Sequence, residues 1–134
     1  MLGQYAEYGI EYITILMLIT TLFFALPILL CPLLWARLMR WSVPEQTDLV
    51  VYFGRCLGAF ILIVQILMLR AITSGTGYIF TFDVLFFVFS LMLLIHIYGA
   101  IKRVQPMTET LEIGLWIALL IMNIVFYPTR SIAW

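Results

Sequence analysis

Residues 42 to 70 read S-V-P-E-Q-T-D-L-V-V-Y-F-G-R-C-L-G-A-F-I-L-I-V-Q-I-L-M-L-R. They describe a membrane-spanning helix with its own start signal, a glycine pair and one cation inside the apolar run. Ser42 and Glu45 have the S-x-x-E spacing of a capping box, in which the serine oxygen accepts from the backbone N–H three residues on and the glutamate reaches back. Pro44 falls in that first turn, where a missing N–H costs nothing. Gly54 and Gly58 lie one turn apart and admit a second helix backbone, which counts in lipid because inserted helices gain little hydrophobic energy by meeting. Between them, Arg55 carries a guanidinium whose exposure to lipid costs about 2.5–3.5 kcal/mol, so it is expected to snorkel or to point at protein.

The composition agrees with a membrane setting. The 134 residues are 65% hydrophobic and 10% charged, with a mean hydropathy of +1.14, far from the composition of soluble domains. At about 20 residues per span, the length holds three or four helices and no separate soluble domain. The 7 basic residues are scattered and balanced by 7 acidic ones, which leaves no electrostatic footprint for nucleic acid. Cys31 and Cys56 stand in apolar surroundings with no C-x-x-C neighbour, the pattern of packing residues and not of a thiol redox centre.

Upstream, residues 1–11 contain Gln4, Glu7 and Glu11 and no lysine or arginine, so the basic n-region of a cleavable signal peptide is missing. A first span is expected over about 12–35. Pro27 and Pro32 each remove a ladder hydrogen bond from it, which predicts a kink or break near Leu26 to Leu30. Such a bend fits a structural helix or a broken helix lining a site. Trp35 and Trp41 then flank Arg37 and Arg40, an interface anchor with indoles at headgroup level and cations reaching water or anionic lipid.

Downstream, the second span covers about 49–70 and turns through Thr73 to Gly77 into a third at about 78–101, an antiparallel hairpin. Lys102 and Arg103 suit the C-terminal end of that helix, and Pro106 tightens the connection that follows. Thr108 is placed to cap a fourth span, about 111–127, with Glu109 and Glu112 in its first turn and Pro128 as its stop. The expected fold is an all-α, four-helix, up-down-up-down membrane bundle, one domain over 1–134. Arg37, Arg40, Lys102 and Arg103 fall on one side against Arg70 and Arg130 on the other. By the positive-inside rule both termini, including Trp134, are extracytoplasmic, in a membrane of the bacterial inner type.

Depth along the spans suggests where polar groups meet. At 1.5 Å per residue, Arg55 lies roughly 9 Å beyond Leu49, His96 roughly 8 Å before Ile101, and Glu112 about one turn into its span. All three enter from the cytoplasmic side. They are expected to form one polar layer in which Glu112 satisfies Arg55, with His96 nearby and Tyr52 or Tyr98 joining. That layer is either a clamp fixing helix register or a proton-linked or anionic-ligand site. Arg70 and Asp83 flank the second turn and are expected to pair on the outer side. Gln65, Ser90 and Asn123 share a mid-membrane depth and suit interhelical hydrogen bonds.

Other chemistries lack residues. One histidine supplies neither a metal cluster with ligand spacing nor a bis-histidine haem, so no metal site is expected. His96 alone has the minimum for a single axial ligand of a haem or chlorophyll-type macrocycle. No G-x-S-x-G, H-E-x-x-H or phosphate loop occurs.

In size and span number the chain resembles the small multidrug-resistance transporters, with Glu11 as the single counterpart of their first-span glutamate, at the span's outer edge. Gly54-Arg55-Cys56-Leu57-Gly58 resembles helix starts of small four-span DoxX-like proteins, over five residues that imply no function. The leading expectation is a noncatalytic accessory subunit, partnered by the bilayer and by other membrane subunits, with no required cofactor. The alternative is a small transporter or a lipid or quinone binder built on Arg55, His96 and Glu112. A pigment or haem carrier through His96 is a third class.

Overall fold

The computed structural model describes residues 1–129, which are helical throughout their regular structure, with no strand among the described residues. Arg130 and Trp134, which entered the orientation argument, lie outside the described residues. A single 3-10 turn, Ala6–Tyr8, leads into α1 (Gly9–Thr20), which widens into a π-helical turn at Thr21–Ala25 before α2 (Leu26–Leu30). The widened turn lies just before the first of the two prolines. Pro27 has no N–H to give the carbonyl four residues back, that of Phe23, and this oxygen instead accepts the Trp35 indole N–H at 3.1 Å. The helix stops at Cys31, whose φ of −133° and ψ of 58° are not helical, and α3 (Pro32–Leu38) restarts on Pro32, the residue best suited to a first helical position.

The second long helix, α4 (Asp48–Ser74), corrects the expected start. Thr47 precedes it and no side chain caps it, so the Ser42–Glu45 capping box does not form. Pro44 disfavours helical backbone at Val43, and the chain between α3 and Asp48 stays irregular. Gly75 (φ 67°) and Gly77 (φ 72°) take the left-handed conformation that reverses the chain into α5 (Tyr78–Lys102), and Pro106 precedes α6 (Met107–Val125). Four stretches are long and apolar enough to cross a membrane: Ala6–Leu30, Asp48–Ser74, Tyr78–Lys102 and Met107–Val125.

α4 packs against α1, α2, α3 and α5, whereas the main neighbour of α6 is α5. The close approach to α2 is made at glycine. A Cβ built on Gly58 would stand 2.5 Å from the Leu29 nitrogen, and one on Gly54 would stand 2.6 Å from Pro32 Cβ. The buried core joins Ile13 and Leu16 of α1, Met68 of α4, Phe82 and Leu85 of α5, and Leu119 of α6. Polar groups stitch it together. Asn123, fully buried, donates to the Phe82 carbonyl at 3.0 Å, and the Thr20 hydroxyl reaches Gln65 Oε1 at 3.2 Å. Beside this core the N-terminal segment lies on the end of α6, with the Gly3 and Tyr5 N–H groups donating to the Ile124 and Val125 carbonyls at 3.0 Å each. The opposite end of the α5–α6 pair holds the polar cluster described next.

Candidate functional site

The site grows from the short connection between α5 and α6. Arg103 (φ 54°) adopts a left-handed conformation, and the Val104 N–H returns to the Gly99 carbonyl at 3.1 Å, which ends α5 and turns the chain back. Gln105 then folds onto α5 where Gly99 leaves room, since a Cβ on Gly99 would lie 2.0 Å from Gln105 Oε1. Its amide donates to the His96 carbonyl at 3.0 Å and to Thr110 Oγ1 at 3.2 Å. With Pro106 as the last non-helical residue, the first turn of α6 is held against His96. The i, i+3 spacing of Glu109 and Glu112 puts both carboxylates on the face that meets the imidazole.

His96 is 4% exposed and Glu109 8%. His96 Nε2 lies 3.0 Å from Glu109 Oε2 and 3.3 Å from Glu112 Oε2. The other ring nitrogen, Nδ1, is 2.7 Å from the Met92 carbonyl. A carbonyl can only accept, so Nδ1 carries a proton, and in the neutral ring Nε2 is then a lone pair aimed at two carboxylate oxygens. Two indoles border the group. Trp41 Nε1–H donates to Glu109 Oε1 at 2.8 Å, and Trp116 Nε1–H approaches His96 Nε2 at 3.4 Å. The Thr108 hydroxyl donates to the Met39 carbonyl, which ties the segment bearing Trp41 to the start of α6 instead of capping that helix. Three electron-pair donors thus converge in a buried place, and their chemistry calls for a cation, either a proton shared between them or a metal ion.

The residues singled out from sequence distribute as follows. His96 and Glu112 come together. Arg55 does not join them: it is exposed on α4, with no ion pair among the described residues, and the expected Arg55–Glu112 contact is absent there. Depth along a helix gives height but not azimuth, and Arg55 turns away, beside the Gly54 and Gly58 face that meets α2 and Pro32. It lines a groove of about 550 Å³ together with Leu29, Val51, Cys56, Ala59, Tyr52 and Asp48. Tyr98 is also outside the cluster, with its ring under Lys102 Nζ at 5.9 Å.

At the other end Asp83 accepts from the Tyr127 phenol at 2.6 Å, and no ion pair joins it to Arg70 among the described residues, correcting that expectation. The hydrogen bond to Asp83, then burial, then the charge of Asp83 hold the Tyr127 phenol above the ordinary range. Of the aromatic anchors, Trp35 and Trp41 spend their indole N–H groups inside the protein, while Arg37 and Arg40 are exposed. Glu109 is the ligating candidate that depth alone did not single out. Its signal was present in the E-x-x-E spacing, whereas nothing local marks Trp41 as its partner. Set against family models, curated proteins and solved structures, the chain has no significant match, and no family is assigned to it.

Proposed function

We propose that the chain is an integral membrane protein of four spans, arranged up-down-up-down, that serves as a noncatalytic accessory subunit of a larger membrane complex. Arg55 supports this reading most directly. It stands exposed in a mainly apolar groove on α4 without a carboxylate partner among the described residues, next to exposed Tyr52. A guanidinium left to lipid costs about 2.5–3.5 kcal/mol, which a neighbouring helix bearing an acidic side chain would relieve. Purification of the full chain from native membranes in a mild detergent tests it: a partner at fixed stoichiometry should be retained by Arg55→Lys and lost in Arg55→Glu, with the melting temperature of the isolated chain unchanged. A chain that elutes alone at every detergent strength refutes the subunit role. The sidedness read from basic residues, with both termini outside the cytoplasm, is tested by labelling a Trp134→Cys variant lacking Cys31 and Cys56. Labelling only after permeabilisation reverses it.

A second reading, a small transporter or binder acting through the polar layer, is favoured by the buried His96, Glu109 and Glu112 group. With Arg55 outside it, this layer suits a cation better than an anionic lipid or quinone. A haem or chlorophyll-type ligand is disfavoured because His96 is buried and Glu109, Glu112 and Trp116 crowd its Nε2, leaving room for an ion and not for the face of a macrocycle.

A further inference from the structure

We infer that His96 Nε2, Glu109 and Glu112 bind a first-row divalent metal ion of the Zn²⁺ type, a site independent of the accessory-subunit reading. The lone pairs of the cluster converge. Nδ1 is committed as a donor to the Met92 carbonyl at 2.7 Å, so Nε2 presents its electron pair to two carboxylate oxygens at 3.0 and 3.3 Å. Two indole N–H groups, that of Trp116 at 3.4 Å from Nε2 and that of Trp41 at 2.8 Å from Glu109 Oε1, do not balance the negative charge of two carboxylates in so enclosed a place.

The spacing of the donor atoms suits an ion. Around an ion ligated at about 2.1 Å, neighbouring donor atoms stand roughly 3.0 Å apart in octahedral and roughly 3.4 Å apart in tetrahedral geometry. The two contacts made by Nε2 fall in that range, and all three donor atoms lie within 4.8 Å of one another.

Residues outside the donor set hold the ligands in place. A metal-bound histidine normally gives its other N–H to a carbonyl or carboxylate, and a ligating carboxylate is itself hydrogen-bonded, which fixes tautomer and orientation. Met92 does the first here, and Trp41, whose indole donates to the far oxygen of Glu109 at 2.8 Å, does the second. A mixed nitrogen and oxygen set selects a transition ion over Mg²⁺ or Ca²⁺, which prefer oxygen alone. Glu112, with 13% of its side chain exposed against 5% for His96, marks the side from which the ion enters and where a further ligand is free to bind.

The full chain, purified in detergent and stripped with a chelator, is titrated with ZnCl₂ by calorimetry and with CoCl₂ by visible absorption. One equivalent per chain is expected, with saturable binding, a raised melting temperature, and Co²⁺ absorption bands showing nitrogen and oxygen ligation. His96→Gln and Glu112→Gln should each weaken binding by more than roughly 100-fold, and Trp41→Phe, which removes only the supporting N–H, by about 10- to 100-fold. Because His96→Gln removes a buried group and is liable to misfold, Glu112→Gln and Trp41→Phe carry the test when it does. Failure of the unaltered chain to bind saturably would mean that a proton is the resident cation and would overturn the proposal. So would undiminished one-to-one binding in Glu112→Gln and Trp41→Phe, which would place the metal elsewhere on the chain.

Discussion

Replacing Gly58 by alanine should loosen the contact between α4 and α2, and the closeness of Leu29 sets the size of the effect. The new Cβ would lie 2.5 Å from the Leu29 nitrogen, 2.7 Å from its Cα and 2.8 Å from its Cβ. No rotamer change moves those atoms, so α2 must retreat by about 0.9 Å before ordinary contact near 3.4 Å is restored. Overpacking of this kind costs about 1–3 kcal/mol. Alanine also gains about 1 kcal/mol in helix propensity over glycine, which offsets part of the loss. Gly114 supplies the control: a Cβ there meets nothing within 4 Å, so Gly114→Ala should show the propensity gain alone. Helical circular dichroism during denaturation in a single detergent reads both variants. The expected order is Gly114→Ala at or above the unaltered protein and Gly58→Ala about 1–3 kcal/mol below Gly114→Ala, the propensity gain being common to both. Equal stability of the two variants would show that α2 does not lie against Gly58, and the account of the glycine face would fall with it.

Other outcomes follow from the same geometry. Tyr127→Phe should cost about 1 kcal/mol near neutral pH by removing the bond to Asp83. Because the phenol's folded pKa is raised above its usual 10.0, the bond's contribution is whole below that value and lost as pH rises through the raised pKa, so the advantage over Tyr127→Phe should vanish in strong alkali. A gap that persists there would argue against the bond. Tyr12→Phe should be neutral or stabilising, since the buried Tyr12 hydroxyl has no hydrogen-bond partner among the described residues; a loss above about 1 kcal/mol would reveal a partner. A double-mutant cycle between Arg55 and Glu112 should give a coupling near zero, while His96 with Glu109 should give more than about 1 kcal/mol. The reverse ranking would return Arg55 to the polar layer.

What the chain determines alone is the set of helices and their interruptions. Four long apolar runs make four long helices because helix length depends on consecutive residues, and their limits are local chemistry: Gly75 and Gly77 with positive φ, Pro106 ahead of α6, and Pro27 and Pro32 breaking the first run. Even here the Ser42–Glu45 signal gave way, because Pro44 opposes helix at Val43 and Trp41 is held by Glu109 from another part of the chain. Rotation of each helix about its axis is decided by tertiary packing. Glycine against Leu29 turns α4 so that Arg55 faces outward, and Gln105 filling the space above Gly99 turns α6 so that Glu109 and Glu112 face His96. A rise per residue fixes how deep a side chain sits. Which neighbour it meets depends on contacts between residues far apart in sequence, and these exist only once the helices have packed.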